Sequence, residues 1–327
     1  MDNFSRLCEL IAQLQATQPQ YVAPRAGERS THSGSHSLPQ PKPAKSISPE
    51  EIWEAIQIPE IDLADLDHIT TFAGTLSSED QARVERVVDT EHFERWLLSE
   101  RNWGHWGFRW IRRNQNRPSL WKDMEFLVQG DYNSDNTKSP LSVLCASLAS
   151  VLPKRGKFIS LVFFCGLHLE TDRNPGPLAM IRSFIGQLLR QAPSGPVRLS
   201  KPVSMQDVRR GNMDELIKLF ECLLGQLPRT VTVFCMIDGF GLFEGRQYAE
   251  DLYEIIGSVM GLSGDYSWAT DAPFKLFLTT SQPPPRHMRT NFREELCYLN
   301  MASDPAFRVG AETQLDSLPR TGYRGSY

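Results

Sequence analysis

The sequence predicts an α/β fold: a mostly parallel sheet of about five strands flanked by helices, preceded by N-terminal helices and a disordered linker. Three observations predict it. From residue 124 onward, short apolar runs alternate with longer stretches of helical period, the pattern of successive strand–helix units. The runs are unbroken rather than alternating, as in strands buried on both faces. The strongest run, Thr230-Val231-Thr232-Val233-Phe234-Cys235-Met236-Ile237-Asp238-Gly239, ends abruptly in an acid and a glycine. In such sheets, ligands bind at the carboxyl ends of strands.

Composition narrows the class. A chain of 327 residues, at roughly 100–200 residues per domain, holds one or two domains plus a tail. The net charge of −4 argues against a binder of nucleic acid or membrane surface acting through the whole chain. No apolar run approaches the ~18–20 residues that span a bilayer, so no membrane partner is expected. The first residues carry no basic segment followed by an apolar core, so no secretory signal is read there. The six cysteines are scattered without a CxxC pair. Cys145, Cys165, Cys222 and Cys235 lie inside apolar patterns, which suits buried thiols and a cytoplasmic location. Cys165-x-x-His168 has half the spacing of a zinc site and nothing to complete it. Read on one strand, their side chains point to opposite faces, so no thiol–base pair is expected either.

The elements follow in order. Phe4, Leu7, Cys8, Ile11 and Leu14 recur at helical spacing, giving an amphipathic helix over 1–17 that docks on the body or on a partner. The Pro-, Ser-, Gln- and Gly-rich stretch 18–47 reads as a disordered linker. A helical lead-in occupies 48–123. It opens on Ser48-Pro49-Glu50-Glu51, with Ser48 as N-cap, Pro49 at the first helical position and Glu51 at the capping-box position. Asp62, Asp65 and Asp67 lack the order and the glycine of a calcium loop and are expected to form a solvated acidic turn. A helix follows from Ser78, then the amphipathic stretch Phe93-Glu94-Arg95-Trp96-Leu97-Leu98. Residues 101–117 interleave arginines with aromatics. Such a patch can stack on bases and neutralise phosphates, or its tryptophans can pack inward while its arginines face water. The second reading is preferred. Strands are expected over 124–129, 157–165, 230–237, 274–280 and 297–301, and helices over 140–152, 177–191, 213–226 and 247–260. A longer connection fills 192–211. The core domain thus spans 124–302, and 303–327 is read as a flexible tail.

The slot after the first strand holds candidate chemistry. A phosphate-binding loop needs glycines for close backbone approach, a lysine for the outer phosphates, and a Ser or Thr for Mg²⁺ at a helix start. Here the slot reads Gly130-Asp131-Tyr132-Asn133-Ser134-Asp135-Asn136-Thr137-Lys138-Ser139-Pro140. Gly130 opens it, and Lys138-Ser139 stands just before the helix. The loop is nevertheless too long for G-x-x-x-x-G-K-[ST], and Thr137 replaces the second glycine. Asp131 and Asp135 put negative charge where phosphate would lie, and Pro140 removes a backbone donor. Asp238 has two readings: an acid that supports Mg²⁺, or a cap for the next turn.

The order of these pieces resembles the NACHT-type nucleotide-binding domain of fungal STAND proteins, a P-loop NTPase fold. More narrowly, it resembles a group of fungal proteins whose phosphate loop, the Walker A motif, is degenerate. The likeness covers about 91–300. It rests on the lead-in Phe93-x-x-Trp96-Leu97, on Gly130 and Ser139-Pro140-Leu141-Ser142, and on Phe163-Phe164-Cys165-Gly166-Leu167-His168. It continues through Gly176-Pro177-Leu178, Phe234-Cys235-Met236-Ile237-Asp238-Gly239 and Thr279-Thr280-Ser281-Gln282-Pro283.

The resemblance implies cofactor-binding positions at Gly130, Thr137, Lys138, Ser139 and Asp238. Lys138 would take phosphate, with Ser139 and Asp238 serving Mg²⁺, and the cofactor would be ATP or GTP with Mg²⁺. The family's later acids, one of which positions water, give way to Phe240, Gly241, Leu242 and Phe243, and Glu244 is the next acid. Gln282 replaces the arginine that senses phosphate, and losing such a cation costs about 10³-fold or more in phosphoryl transfer. No catalytic residue is therefore assigned. The expected role is a non-catalytic interaction or scaffold module derived from a STAND-type NTPase, with at most weak nucleotide binding and with protein partners or a homo-oligomer. The alternatives are a working Mg-ATP or Mg-GTP signalling switch, and nucleic-acid binding through 101–117. The winged-helix segment and repeats that follow the NTPase core in STAND proteins do not follow here. The expectation is a stand-alone derivative or a truncated gene model.

Overall fold

The computed structural model describes residues 5–17, 46–98, 125–130, 137–192, 195–244, 247–263, 272–283 and 298–301. Residues 18–45 of the linker expected over 18–47, the Arg/Trp-rich stretch 101–117, Asp131, Asp135 and the tail 303–327 lie outside them.

Five strands form one parallel sheet in the order β3-β5-β6-β2-β7. They are β2 (Glu125–Gln129), β3 (Phe158–Phe164), β5 (Thr232–Asp238), β6 (Phe274–Thr280) and β7 (Tyr298–Asn300). Every pairing is parallel, and the fold class read from the sequence holds. All seven residues of β3, β5 and β6 are buried, as an unbroken apolar run demands when helices cover both faces. A second sheet pairs β1 (Ser46–Ile47) antiparallel with β4 (Val197–Arg198). Ser46 and Ile47, at the end of the stretch read as linker, are thus strand residues, and 192–211 is more than a connection.

One face of the large sheet carries α1 (Ser5–Thr17), α4 (Ser78–Val88), α5 (Glu91–Leu98) and α6 (Pro140–Val151), packed on Phe126, Val128, Phe234 and Phe277. The other carries α2 (Pro49–Ile56), α7 (Gly176–Gln191), α8 (Met205–Arg210), α9 (Met213–Leu224) and α11 (Ala249–Ser263), packed on Leu161, Val233, Leu276 and Leu278. The short α10 (Gly241–Glu244) follows β5, and α3 (Ile61–Ala73) gives Ile61 to the second core and Ile69 to the first. Caps fix several boundaries. The Ser48 hydroxyl accepts from Glu51 N at 3.1 Å and the Asn212 side chain from Glu215 N at 3.0 Å, each satisfying an orphan helix donor.

The lead-in Phe93-x-x-Trp96-Leu97 is now explained. Phe93 and Trp96 pack into an aromatic cluster with Phe126 and Phe277, the Trp96 and Phe277 rings standing 5.2 Å apart. Beneath them Lys275, 1% exposed on the central strand β6, donates to the carbonyls of Trp96 at 2.6 Å and Leu97 at 2.8 Å. A cation there satisfies carbonyls of the last turn of α5 and opposes the negative end of its dipole.

The β3 edge is closed by side chains. Gln187 accepts from Val162 N at 2.9 Å and donates to Val162 O at 2.8 Å, while Gln191 accepts from Ser160 N at 3.0 Å and donates to Ser160 O at 2.8 Å. Two glutamines one turn apart on α7 thus supply what a neighbouring strand would, covering an edge otherwise open to pairing.

The acidic-turn expectation is overturned. Asp62 and Asp65 are not in a solvated turn. Both lie in α3, each 7% exposed, and both are buried because each has a partner. Asp62 is ion-paired with Arg190, and Asp65 Oδ2 sits 2.8 Å from His168 Nε2.

Candidate functional site

The sequence-predicted residues converge on the carboxyl edge of the sheet, with one shallow cavity among them. It is lined by Thr137, Lys138, Ser139, Ser142, Asp238 and Thr279, with Leu141, Gly239, Leu242, Thr280 and Ser281. Gly130 follows β2 and donates to Thr280 O at 2.8 Å, so it is tied to the end of β6 and stands outside the lining. Asp238 is the last residue of β5, and Gly239 turns the chain with φ of 70°, a region that disfavours side chains.

Asp238 is enclosed. Ser142 Oγ donates to its Oδ2 at 2.6 Å, and Thr279 Oγ1 donates to its Oδ1 at 2.5 Å. Thr279 Oγ1 also accepts from Gly239 N at 2.9 Å. Burial pushes the Asp238 carboxyl above its ordinary range, and the two hydroxyls restrain that rise. Burial and the nearby Asp238 also push the Cys145 and Cys165 thiols well up, which leaves neither as a thiolate nucleophile.

Ser139 caps α6. Its hydroxyl accepts from Ser142 N at 3.3 Å, and its own amide donates to Ser142 Oγ at 2.9 Å, a reciprocal capping box. The Lys138 Nζ lies 2.9 Å from His68 Nε2 and 5.5 Å from the centre of the Phe72 ring, both on α3. Thr137 is exposed, and its carbonyl packs so closely on Gly166 that a methyl group there would collide with it.

The turn after β3 is fastened to α3 as well. His168 Nδ1 is 2.7 Å from Asp172 and Nε2 is 2.8 Å from Asp65, and the ring stacks on Phe163 at 4.7 Å. Burial works against the imidazolium, but the hydrogen bonds and charges of Asp65 and Asp172 outweigh it, and the imidazole is raised above its ordinary value. Cys165–Leu167 forms a 3₁₀ turn rather than the end of a strand. The opposite-face argument for Cys165 and His168 therefore does not apply, and the carboxylate partners of His168 set its role instead.

The remaining positions are equally committed. Phe240 and Phe243 are fully buried in the core, and Glu244 accepts from Tyr253 Oη at 3.0 Å. The backbone of Gln282 closes a small turn on Thr280 Oγ1. Of the groups that shape the site, reasoning from sequence passed over Ser142, Thr279 and His68. Ser142 stands three residues past a cap, and Thr279 adjoins Asp238 on the neighbouring strand, so both carried a usable signal. His68 carried none.

As arranged, the described residues leave little room for a magnesium nucleotide. The cavity offers about 20 Å³, room for about one water, against roughly 300 Å³ or more for small-molecule sites. Among the described residues no group of three His, Cys, Asp or Glu is placed to hold a metal ion, and no helix is long and apolar enough to cross a membrane.

The model of one family, described as nephrocystin 3, N-terminal, matches residues 141–280. No curated protein and no solved structure matches. The matched stretch runs from the second residue of α6 to the end of β6. It includes Ser142, Asp238 and Thr279 and leaves out Gly130, Thr137, Lys138 and Ser139. Over that stretch, less than half of the chain, this protein is similar to the nephrocystin 3 N-terminal family.

Proposed function

We propose that the chain is a non-catalytic interaction or scaffold module, derived from a STAND-type NTPase whose nucleotide site has become part of the structure. The observation that carries this reading is the pair of hydroxyls on Asp238. Ser142 at 2.6 Å and Thr279 at 2.5 Å donate to the two carboxylate oxygens that a magnesium site would use. The diversion of Lys138 to His68 and the use of Ser139 as a helix cap support it. Gly130, Thr137, Lys138, Ser139 and Asp238 then serve as relics of a phosphate loop, binding nucleotide weakly at most. Protein partners or a second copy of the chain are the expected ligands, in the cytoplasm.

The test is a nucleotide titration of the full chain followed by thermal unfolding. A ligand that binds only the native state must raise its melting temperature. The reading predicts an unchanged melt with Mg-ATP and Mg-GTP at millimolar concentration and no phosphate release above buffer. Turnover that Asp238→Asn abolishes would favour the alternative, a working Mg-ATP or Mg-GTP switch.

A further inference from the structure

Charges of opposite sign collect on either side of one turn. Gly211, at φ of 82°, ends α8, and Asn212 opens α9. On the α8 side stand the exposed Arg209 and Arg210, with Arg182 of α7, which donates to the Arg209 carbonyl at 3.3 Å. On the α9 side Asp214 neighbours Glu254 of α11, with Glu250 and Asp251 close by, and all four are exposed. Helix ends account for Arg209 and Arg210 in a last turn and for Asp214, Glu250 and Asp251 in first turns. They do not account for Arg182 or Glu254, each in the second turn of its helix. Among the described residues Arg182 has no carboxylate partner, and its Nε is enclosed without a hydrogen bond. Burial pulls its guanidinium below the ordinary pKa. The charges acting on Glu254 are all acids: burial, then Asp214, Asp251 and Glu250, push its carboxyl up. Lys218 feels Asp214 but is hydrogen-bonded to Glu215 at 2.7 Å, and Arg210 is paired with Asp207 at 3.2 Å. Leu178, packed on Gly211, and Met213 are half-buried at the same turn.

We propose that this face is a two-fold interface between two copies of the chain, in which Arg182 and Arg209 of each copy meet Asp214 and Glu254 of the other. Charge complementarity names the occupant. One surface carries both signs side by side, and a two-fold axis through the turn lays each patch on its opposite. Leu178 and Met213 then form the apolar centre, and the charged side chains form the rim. The interface rests on the reading above, in that it names where the expected second copy docks. It lies on α7, α8, α9 and α11 and uses none of the residues around Asp238.

The test is the mass of the full chain in solution, read by sedimentation equilibrium at tens of micromolar. The interface predicts twice the chain mass at low salt, with a dissociation constant that rises about tenfold or more in half-molar salt. Arg182→Glu/Arg209→Glu turns the basic side acidic, and Asp214→Lys/Glu254→Lys turns the acidic side basic. Each variant alone is expected to be monomeric. An equimolar mixture of the two is expected to regain the dimer, because both contacts then join opposite signs. A wild type that stays monomeric at low salt overturns the proposal. So does a dimer that survives either reversal, or a mixture that stays monomeric. A mass that climbs past two chains with concentration overturns it too, since that marks an open head-to-tail array. Should a double variant melt early, Arg209→Glu and Glu254→Lys, both at exposed positions, carry the same comparison. A Mg-ATP shift of the melt would contradict the scaffold reading while leaving the masses intact, so the two claims fail separately.

Discussion

Ser142 Oγ donates to Asp238 Oδ2 at 2.6 Å, joining the first turn of α6 to the last residue of β5, 96 positions away in sequence. The same hydroxyl accepts from Ser139 N at 2.9 Å, so helix cap and acid belong to one network. Burial raises the Asp238 carboxyl above the ordinary range, and the hydroxyls of Ser142 and Thr279 restrain that rise.

Asp238→Asn tests that role. A group whose folded pKa lies above its unfolded value gives stability that is fully present below about pH 4 and is lost as pH rises through the folded value. Asparagine removes the titrating charge but offers one acceptor oxygen where the carboxylate offers two, so one of the two hydroxyls loses its acceptor. The two effects oppose each other, and the variant is expected to stay within about 1 kcal/mol of the wild type. Asp238→Ala, which strands two buried hydroxyls, should lose about 2–3 kcal/mol. Urea unfolding of both variants measures this. A loss above about 2 kcal/mol for Asp238→Asn would show that the charge itself is required.

His168 gives the fold a pH signature. Its raised imidazole stabilises most fully below about pH 6.5, and the contribution fades as pH rises through the folded value. Burial works against the Asp172 carboxylate, but hydrogen bonds from His168 and nearby amides hold its pKa low, so its share is lost only as pH falls well below about 4. The clamp is therefore strongest between those limits. The stability gap between wild type and His168→Gln should reach about 3 kcal/mol near pH 6 and shrink as pH rises through the folded value. A gap independent of pH would remove the charge from the account.

Gln187→Leu should expose the β3 edge. Val162 loses the acceptor for its amide and the donor for its carbonyl, at a cost of about 2–3 kcal/mol. Light scattering during refolding should also rise, because an unpaired edge is a template for association. An unchanged melt would mean that water replaces both bonds.

Gly166→Ala tests the contact between the turn after β3 and the segment before α6. The added methyl meets the Thr137 carbonyl, which is backbone and cannot swing aside. A loss of about 1–3 kcal/mol is expected in urea unfolding. An alanine accepted without loss would place the segment elsewhere.

Much of the fold was legible because β3, β5 and β6 are unbroken apolar runs and the helices between them carry clear stripes and caps. The buried charges were not. Asp62 and Asp65 look like a solvated acidic turn until Arg190 and His168, 128 and 103 residues away, come to them. Lys275 looks like an exception in a core strand until the end of α5 arrives over it. The site divides in the same way. That Gly130, Lys138, Ser139 and Asp238 gather near one sheet edge follows from strand–helix order. That Lys138 faces α3 depends on His68, whose distance in sequence gives no cue.

The most direct test of the central claim is the thermal melt of the full chain with and without millimolar Mg-ATP or Mg-GTP, repeated on Lys138→Ala. The account predicts no shift for either chain with either nucleotide, since Asp238 is capped by Ser142 and Thr279 and Lys138 is held by His68. A wild-type shift of several degrees that disappears in Lys138→Ala would contradict it.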